Sequence, residues 1–342
     1  MSPAIAAILI QDGVVNGAIY GLLALCLVLV FAVTRIVLIP QGEFVAFGAL
    51  AYASFAEGQV PALLAVLAVL SLAAFFLGLC TEPAGNERAL AMSTLAVPAV
   101  SIIACLVLTP LRLGPAMDAV LAVAAVAPMA PLLYRIAFQP LADASALVLL
   151  IAAVGVHLAL TGIGLLAFGA EGMRGPAFMS GGVRLGGLDV SFQQLWVVAT
   201  ALVVMAALAV FFATTLAGRA LRATAINRVG ARLVGIETAA AGRVAFTMAG
   251  LIGAASGVLL SPLTTVYYDS GFLIGLKGFV AAIFGGMAVY PLAVAAAFGV
   301  GLVESFAAFW ASPFKEAIVF ATIIPVLIWL SLSAGDAVEE EG

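Results

Sequence analysis

Four ionisable side chains fall inside long apolar stretches of this chain: Glu43, His157, Lys277 and Glu304. A charge placed within a membrane is costly and marks a functional candidate by default. Glu43 follows Pro40-Gln41-Gly42, so it opens a helix just after a break; it is either a functional carboxylate or a first-turn acid favoured by the helix dipole. Glu304 sits mid-helix in Gly301-Leu302-Val303-Glu304-Ser305-Phe306 with nothing local to satisfy it, and Lys277 is the partner expected from its depth. Such a pair is either a structural ion pair or a substrate contact. His157, in Gly155-Val156-His157-Leu158, reads as a hydrogen-bonded core residue. Ser256, in Ala255-Ser256-Gly257, is a loose echo of a Ser–His dyad, but one His and no nucleophile elbow argue against protease chemistry. One His and three scattered Cys build no metal cluster. Gly271 to Lys277 is the nearest approach to a phosphate-binding loop and has the wrong spacing. No cofactor is expected in this chain, and any ATP and Mg would be held by other subunits.

The elements that must position these groups are membrane helices. Of 342 residues, 65% are hydrophobic and 9% charged, and the mean hydropathy is +1.28. A soluble domain carries about 25% charged residues. The apolar runs are continuous rather than alternating, which predicts an all-α integral membrane protein. Spans are expected at about 13–34, 43–56, 61–80, 94–110, 117–138, 144–168, 191–217, 242–262, 272–289, 291–311 and 315–332, some 10–11 helices including broken or re-entrant segments. The chain reads as a single transmembrane domain over 1–342. The first stretch lacks a basic segment before it and reads as a retained span. Cys26, Cys80 and Cys105 lie in apolar segments and form no disulfide framework. The acidic tail Glu339-Glu340-Glu341 reads as a solvated end.

Five of the thirteen Lys and Arg residues lie between Gly218 and Arg243, the others being Arg219, Arg222, Arg228 and Arg232, in a loop that closes on Gly235-Ile236. Alternation of spans puts eight basic residues on that side (Arg35, Arg88 and Arg135 among them) and five on the other: Arg112, Arg174, Arg184, Lys277 and Lys315. The positive-inside rule then places the basic loop, about 218–241, and the C-terminus in the cytoplasm, with the N-terminus outside. An external loop, about 169–193, is Gly-rich with β-formers and reads as ordered, a hairpin being one form for it. A second break is expected from Tyr267 to Gly278, with a turn at Gly275 to Lys277. Small residues crowd Ala249-Gly250 and Gly253 to Gly257, where helix backbones can approach closely.

Four stretches in order carry a family resemblance. They are Asn16 to Leu25 running into Gln41-Gly42-Glu43; Tyr134 to Leu141 followed by Leu150 to Gly155; the basic loop from Gly218 to Ile236; and Gly275 to Gly286 with Gly301 to Glu304. Together they resemble the membrane permease subunits of the branched-chain amino-acid (LIV-type) ABC importers, over the first 55 residues or so and after Pro131. Gln41 stands where that family commonly has His, and the region of about 60–130 is longer than usual by roughly one helical hairpin.

The resemblance implies a multi-pass protein of a bacterial inner membrane, working by alternating access without chemistry of its own. It implies partners: cytoplasmic ATPase subunits, a second permease, identical or related, a periplasmic binding protein and the lipid bilayer, with no nucleic acid. Gln41, Gly42, Glu43, Gly275, Lys277 and Glu304 are the expected substrate path. Arg219, Arg222, Arg228, Arg232, Gly235 and Ile236 are the expected ATPase contact, the Arg side chains offering hydrogen-bond forks to carboxylates. The competing reading is an ion- or proton-coupled carrier using Glu43, Glu304 and Lys277.

Overall fold

The computed structural model describes residues 3–81, 90–185 and 188–328. Arg88, the acidic tail and the end of the span expected at 315–332 lie outside the described residues. The chain is an all-α integral membrane protein: among the described residues, eight helical segments are long and apolar enough to cross a membrane. In chain order the helices are α1 (Pro3–Thr34), α2 (Gln41–Ala56), α3 (Leu63–Thr81), α4 (Val97–Leu108), α5 (Pro115–Val126), α6 (Met129–Leu133) and α7 (Ala146–Phe168). They continue with α8 (Phe192–Thr214), α9 (Leu216–Ile226), α10 (Arg228–Leu233), α11 (Thr238–Leu260), α12 (Ser270–Phe284), α13 (Tyr290–Trp310) and α14 (Lys315–Ala321). Strands β1 (Gly182–Leu185) and β2 (Leu188–Ser191) form an antiparallel hairpin in the loop expected to be external.

From Gly17 to Val33, helix α1 is apolar on every side and is interior, as such segments must be. It packs against α8, α11, α12 and α13. Glycines bring its backbone to that of α13: a Cβ on Gly17 would lie 2.7 Å from the Phe298 Cα, and one on Gly301 would lie 2.3 Å from the Gly13 carbonyl oxygen. Lipid supplies no hydrophobic drive between helices, so this close van der Waals contact is what holds them.

Helices α2 and α12 are too short to cross. Gln41 Nε2 donates to the Ala249 carbonyl, halfway along α11, at 3.1 Å, while Ser261 Oγ, just past the end of α11, donates to the Ala49 carbonyl at 3.0 Å. Thus α2 starts at mid-depth and runs toward the hairpin side. The chain reaches its start through residues 35–40, where Ile36 and Leu38 are buried. Irregular backbone at membrane depth is tolerated only when covered by protein in this way. Helix α12 starts beside α2: a Cβ on Gly42 would fall 1.8 Å from the Gly271 carbonyl oxygen, and one on Gly275 would fall 3.0 Å from Gly42. Two half-helices therefore meet N-terminus to N-terminus inside the bundle.

This corrects one expectation. Gly275 to Lys277 is not a turn but lies within α12. Its glycines serve contact rather than chain reversal: Gly271 and Gly275 admit Gly42, and Gly278 lies against Leu23.

The two ends of the bundle differ. At one end the hairpin loop is pinned down, with Arg174 donating twice to the Pro262 carbonyl (3.1 and 2.8 Å) and Met173 bridging Val266. At the other lie α9, α10 and the 139–145 turn, tied together by Arg228 donating to the Ala142 carbonyl at 3.1 Å.

Candidate functional site

The seam between α2 and α12 faces α7. His157 is the central residue of α7, and its Nδ1 lies 2.7 Å from Glu43 Oε1. The Glu43 side chain is fully buried, whereas that of His157 is 13% exposed. Phe272, in the first turn of α12, stacks on the imidazole with ring centroids 4.8 Å apart. Nearer the hairpin end, Tyr268 is level with Gly164, and Asp269 is exposed at the start of α12. Along α7 the space before Gly155 and Gly162 is open. One face of the subunit thus presents Asp269 near its mouth, Phe272 and His157 at mid-depth, and Glu43 behind them. At the seam, Gln41 Oε1 and Glu43 Oε2 have no hydrogen-bond partner among the described residues. An unsatisfied buried acceptor requires an explanation.

Removing the imidazole isolates the Glu43 carboxyl in apolar surroundings. His157→Leu should therefore lower stability by about 1–3 kcal/mol. Glu43→Gln, which keeps a hydrogen-bonding group against the ring, should cost less. Thermal unfolding of the purified variants in detergent checks the order.

The second cluster joins four helices. Lys277 Nζ donates to Glu304 Oε1 at 2.5 Å and to Glu316 Oε1 at 3.1 Å, and the Tyr20 hydroxyl donates to Glu304 Oε2 at 2.5 Å. Lys277 and Glu304 are buried together, as their depth required. Tyr20 and Glu316 were not anticipated; the only signal for Tyr20 was its place in the Asn16 to Leu25 stretch. The pairing of His157 with Glu43, 114 residues apart, carried no sequence signal at all. Ser256 is fully buried and donates to the Ile252 carbonyl of its own helix.

A cavity of about 940 Å³ lies elsewhere, as a groove floored by α11 and walled by α4, α5, α6 and the start of α8. None of the six residues expected along a substrate path lines it. All six are buried: Gln41, Gly42 and Glu43 in α2, Gly275 and Lys277 in α12, and Glu304 in α13.

At the basic end, Thr215 caps α9 by accepting from the Gly218 amide, and Asn227 caps α10 by accepting from the Gly230 amide. These caps create two short helices across a run that otherwise continues apolar and basic. Gly235 ends α10 in the left-handed region, at φ +85°. Arg228 and Arg232 bind within the subunit, the latter to Thr238 (3.0 Å) and Asp143 (3.5 Å). Arg219 and Arg222 are exposed, and Ile236 is half-buried. Around α10 the exposed side chains are largely apolar: Ile226 at the end of α9 is 85% exposed, Val229 68%, Leu233 84% and Val234, just past α10, 76%, beside Arg232, which is also exposed.

A family model described as the branched-chain amino acid transport system permease component matches residues 88–327. The match takes in much of the stretch read above as an added hairpin and leaves out the first 87 residues. The chain is similar to the high-affinity branched-chain amino acid transport system permease protein BraD of Pseudomonas aeruginosa, with 28% identity over 202 residues, 57% of this chain and 66% of that protein. It is likewise similar to the LivH permease protein of Escherichia coli K12, with 29% identity over 203 residues, 57% of this chain and 65% of that one. The matched part is thus just under two thirds of each relative. No solved structure matches the chain.

Proposed function

Because the chain belongs to the branched-chain amino acid transport system permease family, we propose that it is the membrane subunit of an ATP-driven importer that takes up amino acids or related small polar solutes. A periplasmic binding protein delivers the solute at the hairpin end, and cytoplasmic ATPase subunits, holding ATP and Mg, dock at the basic end of this inner-membrane protein. The observation that carries the reading is the face formed by α7 and the start of α12. A polar, partly exposed His157 halfway across a membrane helix belongs against water or protein, not lipid. The solute crosses between this face and a second permease, identical or related.

Glu43, Gln41 and Gly42 then act at the seam rather than as walls of an open channel. Their two unpartnered oxygens favour an alternative state in which α2 and α12 part and water or solute satisfies them. Lys277 and Glu304 fasten α1, α12, α13 and α14, so that these move together as a rigid body.

Coupling runs through α9 and α10. With Arg228 and Arg232 engaged internally, the exposed apolar side of α10 supplies the docking contact, and Arg219 and Arg222 flank it. Burial of a leucine contributes about 1.5–3 kcal/mol. Leu233→Asp should therefore abolish substrate-stimulated ATPase activity in the reconstituted complex while capture by the binding protein persists. Arg232→Gln should have the smaller effect. Full coupling in Leu233→Asp, or in a chain with residues 228–235 replaced by a Gly/Ser linker, would sink this assignment.

A further inference from the structure

The 940 Å³ groove is not accounted for by transport, and its lining specifies an occupant. Its floor is one stripe of α11, through Val244, Thr247 and Leu251, reaching from Ala240 to Leu259, about 28 Å by the helical rise. That is close to the roughly 30 Å of a bilayer's hydrocarbon core. Trp196 stands at its hairpin end, as an indole does at a membrane interface. Among the described residues lining it, Arg135 and Arg243, both at the basic end, are the only ionisable ones. Arg243 also reaches Glu237 at 3.1 Å, an exposed carboxylate whose pairing contributes little.

We propose that this groove is a binding site for an anionic phospholipid, with its phosphate held between Arg135 and Arg243 and its acyl chains lying along the Val244, Thr247 and Leu251 face of α11. Charge complementarity selects this occupant. An amino acid in the groove would find no carboxylate for its ammonium group among these residues, whereas a phosphate finds two guanidiniums, each of which also interacts within the chain.

The test uses the full chain purified with its partner subunits in mild detergent. Retained lipid is identified by native mass spectrometry, and dioleoyl phosphatidylglycerol, dioleoyl phosphatidylcholine and inorganic phosphate are titrated into delipidated complex. Phosphatidylglycerol should be retained and bind more tightly than phosphatidylcholine. Its affinity should fall about fivefold in Arg243→Gln, the effect of one basic residue near a membrane surface. It should fall about tenfold in Thr247→Trp, which displaces roughly two methylenes from the groove without touching the charge. Equal binding of the two lipids, full competition by inorganic phosphate, unchanged retention in both variants, or a crosslink from Thr200→Cys to a second permease would each overturn the proposal.

Discussion

Lys277→Met should be among the most damaging single changes in this chain, lowering stability by about 3–5 kcal/mol, the usual effect of removing one partner from a buried ion pair. Lys277 is the cation for two carboxylates, Glu304 at 2.5 Å and Glu316 at 3.1 Å, and its own burial leaves no water to replace it. The Tyr20 hydroxyl still donates to Glu304 in the variant, but one neutral donor does not balance a buried charge. The double variant Lys277→Met/Glu304→Met should recover most of the loss, because a well-packed apolar pair is often as stable as the ion pair it replaces. Unfolding in detergent, followed by intrinsic fluorescence, measures both. Uptake by the double variant then decides between the two roles left open by the sequence. A stable double variant that still transports marks the pair as structural, and one that is stable but inactive marks it as part of the solute path.

Gly42→Val should be similarly severe. Even the first carbon of the new side chain would sit 1.8 Å from the Gly271 carbonyl oxygen, a backbone atom that cannot rotate away. Overpacking a tight interior costs about 1–3 kcal/mol and occasionally more. Here the strain must be relieved by separating α2 from α12. That separation also carries Glu43 from His157, so uptake should be lost along with stability. Gly299→Ala is the matched control. Nothing lies within 4 Å of its added carbon, and a helical Gly replaced by Ala gains up to about 1 kcal/mol. A melting temperature for Gly42→Val equal to that of Gly299→Ala would show that the half-helices are not in the contact described here.

These two positions also show what the sequence could and could not express. Lys277 was found from Glu304 because a membrane interior holds few charges, and a mid-helix carboxylate needs a partner at its own depth. The break before α2 was legible because Pro40 and Gly42 precede a carboxylate in an otherwise apolar region. Gly275 was misread because a glycine that reverses the chain and a glycine that admits another helix look the same in one dimension. Only the position of Gly42, more than two hundred residues earlier, separates them. His157 and Glu43 are joined by packing alone. The basic loop was read by its charges, yet Arg228 and Arg232 bond within the subunit, the latter while still half-exposed, and Val229, Leu233 and Val234 lie outside beside them.

The most direct test is uptake of radiolabelled branched-chain amino acids into proteoliposomes containing this chain, with and without its ATPase subunits, any second permease and a solute-loaded binding protein. The account predicts uptake only by the full assembly, dependent on enclosed ATP and indifferent to imposed proton or sodium gradients. Uptake by this chain alone, driven by such a gradient, would contradict it and assign Glu43, Lys277 and Glu304 to ion coupling.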